Sequence, residues 1–242
     1  MKLLMNRTIN LMNVSHIAMS VIATVFAFSS GFTLTAQEIP TFTRTKQVKE
    51  APAAPQGKPA FYGIELEGQS LAFLLDISGS MGGNKLERLK SEMRRITAGL
   101  RMPDKDSKVS EHGIYRIYAF NSGEPVQFPA RGAARVGGSE AFDSATRFVD
   151  GLQAGGSTEM LKAWNTMLND YGAQPPNTVY FLSDGDPTDC TPDILLGMLR
   201  KRNLPSANGT KAIKIHCVSI GQTSQLLKDI AEENGGYYIE VK

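Results

Sequence analysis

Short apolar runs and amphipathic stretches alternate along the chain from about residue 61 to its end. Residues 71–75 and 178–182 are almost entirely apolar, aromatic or β-branched, which indicates strands buried on both faces of a sheet. Residues 85–96 instead place apolar side chains at helical spacing with charged side chains opposite, which indicates a helix packed against that sheet. Such alternation predicts an α/β fold, with a doubly wound, mostly parallel central sheet and helices on both faces.

The predicted elements cover the whole of this region. Strands are predicted at residues 61–66, 71–77, 114–120, 124–128, 178–182, 212–220 and 237–241. Helices are predicted at residues 85–96, 141–152, 158–169, 193–202 and 224–233. In open sheets of this kind, ligands bind beyond the carboxyl ends of the strands, where the winding reverses. Polar residues that directly follow a strand are therefore the first candidates for a functional site.

Three oxygen-bearing side chains mark the end of the first central strand. Asp76 is followed by Ser78 and Ser80, and a spacing of two places all three side chains on one side of an extended segment. Carboxylate and hydroxyl oxygens are the ligands that hard cations such as Mg²⁺ and Mn²⁺ prefer. The sequence therefore predicts a divalent-metal site at this strand end. A polar turn that holds no ion is the alternative, because Asp and Ser are also common in turns.

Two further candidate ligands lie far along the chain. Thr158 ends a Gly-Gly-Ser-Thr sequence, and we expect it on an exposed loop. Asp184 lies in a Ser-Asp-Gly sequence directly after the strand predicted at residues 178–182. The complete set of candidate metal ligands is Asp76, Ser78, Ser80, Thr158 and Asp184.

On these motifs, residues 61–242 resemble the von Willebrand factor A domain. The metal-ion-dependent adhesion site of that family reads Asp-x-Ser-x-Ser, then a Thr and then an Asp, and all five positions are filled here. The resemblance implies a bound Mg²⁺ or Mn²⁺ with the hydroxyls as direct ligands and the aspartates behind bound waters. It also implies a protein partner that completes the metal shell with a Glu or Asp side chain. Residues 63–68 are similar to a segment of exported bacterial members of the family.

Three more acidic residues lie beside the candidate site. Glu159 follows Thr158 and could weaken or replace a ligand that a partner supplies. Asp186 and Asp189 follow Asp184 closely, and we interpret them as a helix cap and solvated loop residues rather than as extra metal ligands. The predicted ion therefore has two carboxylates to balance its two charges.

The composition fits one soluble domain behind a leader. Of the 242 residues, 41% are hydrophobic and 21% are charged, which suffices for one buried core. Residues 1–36 have a basic start, an apolar centre and a small-residue end, which predicts a cleaved signal peptide and export. An uncleaved single-pass anchor is the alternative, because residues 8–37 contain no Asp, Glu, Lys or Arg. Residues 37–60 are rich in Pro, Ala and Lys and are predicted to be a linker.

The net charge argues against two classes of partner. Lys and Arg number 26, against 24 Asp and Glu. Residues 1–36 contain Lys2 and Arg7 and no acidic residue, so the exported form has no net charge. A neutral protein is a poor ligand for nucleic acid or for an anionic membrane surface. Contact with a membrane is then expected only through residues 1–36, if they are not cleaved.

Catalytic patterns are weak in this sequence. Outside the leader, histidine occurs only at His112 and His216, which does not suffice for a zinc cluster or a Ser-His-Asp set. A metal-dependent phosphohydrolase with Asp76 as nucleophile is the enzyme alternative, although Ser78 stands where such enzymes use a second Asp. We favour an exported, metal-dependent, adhesion-like protein-binding module without catalytic activity. The remaining alternative is a scaffold or regulatory subunit with a structural metal.

The two cysteines and two large ring side chains are expected to be structural. Cys217 lies about 10 Å below its predicted strand end, whereas Cys190 lies in the loop above, so we favour two buried thiols over a disulfide. His216 lies within a predicted strand, and Trp164 shares a helical face with leucines. Both rings are therefore predicted to belong to the core.

Overall fold

The computed structural model describes residues 58–103, 105–205 and 208–242. The predicted signal peptide or anchor at residues 1–36 lies outside these ranges, as does the predicted linker up to residue 57. None of the helices in the described ranges has the length and apolarity that a membrane crossing requires.

Strands and helices alternate along the described residues. The strands are β1 (Ala60–Phe61), β2 (Ile64–Glu65), β3 (Gly68–Asp76), β4 (Val109–Phe120), β5 (Val126–Phe128), β6 (Ala134–Arg135), β7 (Thr178–Ser183), β8 (Lys214–Ile220) and β9 (Tyr238–Val241). The helices are α1 (Asn84–Arg101), α2 (Ser139–Asp150), α3 (Met160–Tyr171), α4 (Pro192–Arg202) and α5 (Gln225–Glu233), with a single 3₁₀ turn at Gly79–Met81.

The main sheet is mostly parallel and has its winding reversal at β3. Its strands lie in the order β5-β4-β3-β7-β8-β9, and β6 also pairs with β4. β3 pairs in parallel with β4 on one side and with β7 on the other, and β8 and β9 continue the parallel pairing. β5 and β6 run antiparallel to β4. The predicted doubly wound α/β fold is thus confirmed.

The central strand β3 shows how the sheet divides the core. Leu71, Phe73 and Leu75 pack in the cluster that includes the buried faces of α1 and α2. Ala72 and Leu74 pack in the second cluster, with the buried faces of α3, α4 and α5. All five side chains are fully buried. A strand covered on both faces has an uninterrupted apolar run, which explains why residues 71–75 show no polar alternation.

The structure corrects the leading strand predicted at residues 61–66. β1 and β2 form a separate two-stranded antiparallel hairpin in its place. Tyr62 and Gly63 make its turn, with φ angles of 47° and 87°. Positive φ at both positions is the geometry of a tight two-residue hairpin turn, so the chain reverses where we expected it to continue.

Other boundaries differ from the prediction by a few residues. β4 begins at Val109 rather than at residue 114, and α1 extends to Arg101 rather than to residue 96. β6 was not predicted, because two residues give no measurable alternation. α3 begins at Met160, so that Thr158 precedes the helix instead of opening it.

The predicted core residues are buried. Trp164 and His216 have no exposed surface. Cys217 is also fully buried, whereas Cys190 is only half-buried, and both are free thiols in the structure. The prediction of two separate thiols is therefore confirmed, with the correction that one of them is partly exposed.

Candidate metal centre

The candidate site lies where adjacent parallel strands end at the same level. Leu75 of β3 is opposite Leu182 of β7, so the next residues, Asp76 and Ser183, are neighbours across the two strands. Ser183 is in turn opposite Ser219 of β8. The reversal of winding at β3 places this edge at the position where doubly wound sheets bind their ligands.

Asp76 is a fully buried carboxylate held by two hydrogen bonds. Its Oδ1 accepts a 2.7 Å hydrogen bond from the backbone N–H of Ser78, and its Oδ2 accepts one of 2.6 Å from the hydroxyl of Ser183. Burial raises the pKa of Asp76 above its ordinary value, the two hydrogen bonds lower it in part, and the nearby charge of Asp184 raises it again. The negative charge of Asp76 is thus only partly compensated by its neighbours.

Hydroxyl groups connect the region of Asp76 to Asp184. The hydroxyls of Ser78 and Ser80 lie 3.1 Å apart, and the Ser80 hydroxyl donates a 2.7 Å hydrogen bond to Oδ1 of Asp184. Ser78 is buried, whereas Ser80 is exposed and forms the solvent side of the group. The side-chain oxygens of Ser78, Ser80 and Asp184 therefore form one hydrogen-bonded group, and Asp76 joins it through the backbone N–H of Ser78.

Asp184 is enclosed by partners. Its side chain has no exposed surface, and the ammonium of Lys85 lies 2.5 Å from its Oδ2. Its backbone carbonyl accepts a hydrogen bond from the side-chain amide of Gln222. Lys85 lies in the first turn of α1, so this helix brings a positive charge to the site.

The loop that carries Thr158 is tied to the loop that follows β3. The N–H of Gly155 donates a 2.9 Å hydrogen bond to the carbonyl of Ile77, and the N–H of Gly79 donates one of 3.0 Å to the carbonyl of Gly156. Thr158 itself is only 7% exposed, which corrects our expectation of an exposed loop residue. These backbone contacts hold the loop that carries Thr158 against the loop that carries Ser78 and Ser80.

Thr188 explains why Thr158 is buried. The N–H of Thr158 donates a 3.0 Å hydrogen bond to the hydroxyl of Thr188. The N–H of Thr188 donates a 2.9 Å hydrogen bond back to the carbonyl of Thr158. The segment after β7 thus covers the threonine, a contact between distant segments that no local sequence pattern indicates.

Gly156 must be a glycine for this loop arrangement. Its φ is +74°, a region that residues with a Cβ rarely adopt. A Cβ at this position would lie 2.3 Å from the hydroxyl oxygen of Ser122. That hydroxyl accepts a 2.8 Å hydrogen bond from the N–H of Ser157, so Ser122 supports the loop from the end of β4.

The donor set has the chemistry of a site for a hard divalent cation. Its carboxylates and hydroxyls are all hard oxygen donors. In an octahedral shell with metal–oxygen distances of about 2.1 Å, neighbouring ligand oxygens lie about 3.0 Å apart. The 3.1 Å between the hydroxyls of Ser78 and Ser80 fits that spacing. In the part of the chain that the structure describes, no three His, Cys, Asp and Glu side chains cluster as metal ligands, so an ion here would depend on hydroxyls.

Glu159 is directed toward the loop after β4. Its Oε2 accepts a 3.0 Å hydrogen bond from the N–H of Gly123, and its Oε1 accepts one of 3.3 Å from the hydroxyl of Ser157. These contacts give the carboxylate a role in fixing two loops to each other. Replacement of an outside metal ligand by Glu159 would require breaking them.

Asp189 caps a helix, as predicted, but not the helix that follows it. Its carboxylate accepts hydrogen bonds of 3.2 Å and 2.9 Å from the N–H groups of Leu161 and Lys162, in the first turn of α3. The carboxylate thereby satisfies donors that a helix leaves free at its start. Asp186 is exposed, in keeping with a solvated loop residue.

Sequence reasoning missed two residues that complete the site. Ser183 follows a predicted strand, and pairing that strand in register with β3 would have placed it beside Asp76. Lys85 stands at the start of a predicted helix, where its charge resembled that of any solvated residue. Its contact with Asp184 depends on how the loop at residues 77–83 folds, and the sequence does not indicate that path.

Comparison with known proteins identifies the family. A family model described as the von Willebrand factor type A domain matches residues 70–242. No curated protein matches the sequence.

Solved structures share the fold at low sequence identity. A von Willebrand factor type A protein from Catenulispora acidiphila superposes with a TM-score of 0.57 at 17% identity, over 74% of this chain and 39% of that one. The pilus adhesin SpaC from Lactobacillus rhamnosus GG superposes with a TM-score of 0.53 at 12% identity, over 79% of this chain and 29% of that one. This chain thus spans well under half the length of both proteins, and the likeness establishes the fold alone.

Proposed function

The chain belongs to the von Willebrand factor type A family, and from that premise we propose that it is an exported, divalent-metal-dependent protein-binding module without catalytic activity. Its metal is Mg²⁺ or Mn²⁺, held by the residues Asp76, Ser78, Ser80, Thr158 and Asp184. When bound, the metal supplies a Lewis-acidic position for a Glu or Asp side chain of a protein partner.

One observation carries the proposal, namely the connected group of oxygens that runs from Ser78 through Ser80 to Asp184. Asp76 stands directly below it, with one oxygen on the N–H of Ser78. Three loops, after β3, before α3 and after β7, meet at this point and hold one another by backbone hydrogen bonds. Hydroxyl and carboxylate oxygens held close together by such a frame are suited to a small hard cation.

The accessible side of the group favours a ligand that comes from outside. Asp76, Ser78 and Thr158 are buried, and Asp184 is covered by its partners, whereas Ser80 is exposed. A partner side chain would therefore approach the ion past Ser80. With neutral hydroxyls as direct ligands and the two aspartates behind bound waters, the ion would remain electrophilic toward a carboxylate from outside.

Several contacts support a non-catalytic reading. Asp76 is fully buried, so attack by its carboxylate on a phosphorus atom would require a substrate to reach a closed position. His216 is fully buried, with its Nδ1 accepting a hydrogen bond from the N–H of Tyr237. A screen of phosphoesters with Mg²⁺ or Mn²⁺ tests this part of the proposal. Turnover that is lost in Asp76→Ala would establish the phosphohydrolase alternative instead.

The metal is tested by titration calorimetry of residues 37–242 with MgCl₂ and MnCl₂. We expect one site per chain, and no heat of binding in a variant that combines Asp76→Ala with Asp184→Ala. A variant that combines Asp143→Ala with Asp186→Ala is the matched control, since it removes two exposed acids outside the proposed ligand set. Binding that survives the first pair, or that fails in the second, would reassign the ligands.

The partner is tested by affinity capture from the exporting cell with Mg²⁺ and with a chelator. Thr158→Ala is the informative variant, because the contacts of Thr158 with Thr188 use its backbone N–H and carbonyl and persist without the side-chain hydroxyl. We expect loss of capture in Thr158→Ala and in chelator with little change in Tm. Capture that is indifferent to both, with a Tm that falls in chelator, would support the scaffold alternative.

Export is tested separately by cell fractionation and amino-terminal sequencing. Cleavage near residue 36 with the mature chain outside the cytoplasm is expected. A full-length chain in the membrane fraction would support the anchor alternative.

A further inference from the structure

A protein-borne cation already occupies one side of the proposed metal centre. The ammonium of Lys85 lies 2.5 Å from Oδ2 of Asp184, while Oδ1 of the same carboxylate accepts the hydroxyl of Ser80. The Asp184 side chain has no exposed surface, and that of Lys85 is 35% exposed. The carboxylate thus has one oxygen directed to the hydroxyl group of the site and the other to a positive charge.

Packing holds the Lys85 side chain in this position. A Cβ at Gly221, the residue after β8, would lie 2.9 Å from Cε of Lys85, so the lysine stem passes directly over that glycine. Gly221 has a φ of +82°, which glycine adopts readily. The loop that contains Gly221 continues to Gln222, which hydrogen-bonds the backbone carbonyl of Asp184. The Lys85 side chain therefore packs against the residue that follows β8 instead of extending freely into solvent.

Lys85 changes the net charge of the proposed metal site. Asp76 and Asp184 contribute two negative charges and Lys85 contributes one positive charge, so the site has a net charge of −1 before any metal is present. A divalent cation changes the net charge to +1. One carboxylate from outside then makes the assembly neutral, whereas without Lys85 the metal alone would do so.

We propose that Lys85 is a resident counter-ion that weakens metal binding and makes tight metal binding depend on an acidic ligand. This inference rests on the proposed metal-dependent function and adds the residue that couples metal to ligand. In the metal-free protein Lys85 neutralises the buried charge of Asp184, so the fold is kept without an ion. In the metal-bound protein its positive charge repels the metal and attracts the carboxylate of the partner.

The test is the Mg²⁺ dissociation constant by titration calorimetry for the wild type, Lys85→Met and Lys85→Gln. Methionine keeps the stem over Gly221, and glutamine keeps a donor for Asp184, while both remove the charge. We expect both variants to bind Mg²⁺ at least about tenfold more tightly, because one unit charge about 6 Å from a divalent ion has about that effect even at the dielectric constant of bulk water. Lys162→Met is the control, since Lys162 lies in the first turn of α3 and pairs with Glu124 at 3.4 Å.

A second measurement tests the coupling to a carboxylate. The same titrations are repeated in sodium acetate and in sodium chloride of equal ionic strength, with acetate as the probe. Acetate should tighten Mg²⁺ binding in the wild type and in Lys162→Met, and less so in the two Lys85 variants. The metal-free Tm of Lys85→Met should also fall below that of Lys85→Gln, since methionine leaves Asp184 without a donor at Oδ2.

Two results would overturn the inference. Equal dissociation constants in the wild type and both Lys85 variants would show that the lysine charge does not act on the metal. Equal tightening in Lys162→Met would show a general effect of net charge. Absence of Mg²⁺ binding in the wild type and in every variant would instead refute the proposed function, so the two failures are distinguishable.

Discussion

The two ends of the central parallel strands differ in how their carboxylates are neutralised. The carboxyl edge, where the strands end, contains Asp76 and Asp184, and the amino edge, where they begin, contains Glu65 and Glu67. At the carboxyl edge, the carboxylate of Asp184 pairs with the ammonium of Lys85, and the other partners of the Asp76 and Asp184 carboxylates are hydroxyls and a backbone N–H. Asp76 has no cation in direct contact among the ion pairs of the described residues. This edge therefore keeps an excess of negative charge in a buried setting.

At the amino edge the balance is reversed. Glu65 pairs with Lys108 at 2.8 Å and with Lys58 at 3.6 Å. Glu67 pairs with Lys214 at 2.7 Å, and its Oε1 lies 3.5 Å from Nε2 of His216. Two carboxylates thus have three ammonium groups around them.

The pKa shifts of Glu67 and Asp76 agree with this difference in charge between the two edges. The imidazole of His216 and the ammonium of Lys214 lower the pKa of Glu67 to about 2, whereas burial raises the pKa of Asp76. A carboxylate surrounded by cations is already stable in its charged form, so a metal ion is not required to neutralise it. This difference supports the proposal that the carboxyl edge receives a cation, whereas the amino edge contributes to stability.

The largest expected difference between the two edges is in how their carboxylates affect stabilisation of the protein by Mg²⁺. At a Mg²⁺ concentration about 100 times its Kd, linkage predicts a gain of about 2.7 kcal/mol in the free energy of unfolding. The gain should vanish when Asp76→Ala and Asp184→Ala are combined and persist when Glu65→Gln and Glu67→Gln are combined. Urea unfolding with Mg²⁺ and with a chelator measures it. A gain that disappears in the amino-edge variant would contradict the division of roles.

The next largest effect is the loss of stability expected when Gly156, in the loop before α3, is replaced. Gly156→Ala should destabilise the protein by about 2 kcal/mol, because alanine at a φ of +74° is strained and its Cβ would contact Ser122. Gly155→Ala is the control, since a Cβ there meets nothing within 4 Å. Thermal unfolding of both variants in chelator gives the difference. Equal Tm values would mean that the loop before α3 adapts without cost.

The fold was predicted from the sequence and is confirmed, whereas the set of five metal ligands stays a prediction. Buried strands gave clear apolar runs, and their polar ends identified Asp76 and Asp184, because the carboxyl ends of parallel strands share one edge. The burial of Thr158 and the contact of Lys85 with Asp184 could not be predicted, since each depends on contacts between segments distant in sequence. Loop paths are set by such contacts rather than by a local period of hydrophobicity.

The pH dependence of the free energy of unfolding should show the contribution of Glu67 at the amino edge. Because the pKa of Glu67 is lowered from 4.5 to about 2, its stabilising contribution is present above pH 4.5 and is lost as the pH falls toward 2. Glu67→Gln should therefore cost about 1 kcal/mol at pH 7, after allowance for solvent screening of this partly exposed group, and almost nothing near pH 2. Glu87→Gln is the control, as Glu87 is 66% exposed. A cost that does not change with pH would assign the effect to packing.

The smallest effect has the opposite sign and concerns Asp76. Because burial raises its pKa, the charged form of Asp76 destabilises the metal-free fold at neutral pH, and this penalty is lost as the pH falls through the raised pKa. Asp76→Asn can keep both hydrogen bonds, with its oxygen accepting from the N–H of Ser78 and its amide donating to Ser183. We expect the metal-free protein to gain about 0.5 kcal/mol at pH 7, while Mg²⁺ binding is lost.

Asp184→Asn is the matched comparison for Asp76→Asn at the same edge. It removes the charge that pairs with Lys85, so it should lower the metal-free stability where Asp76→Asn raises it. Urea unfolding of both variants in chelator at pH 7 and pH 4 measures the two signs, and the gain in Asp76→Asn should shrink at the lower pH. Loss of stability in both variants would mean that the hydrogen bonds of Asp76 outweigh the cost of its burial. The carboxyl edge would then be stable without a cation, and its charge would no longer argue for a metal.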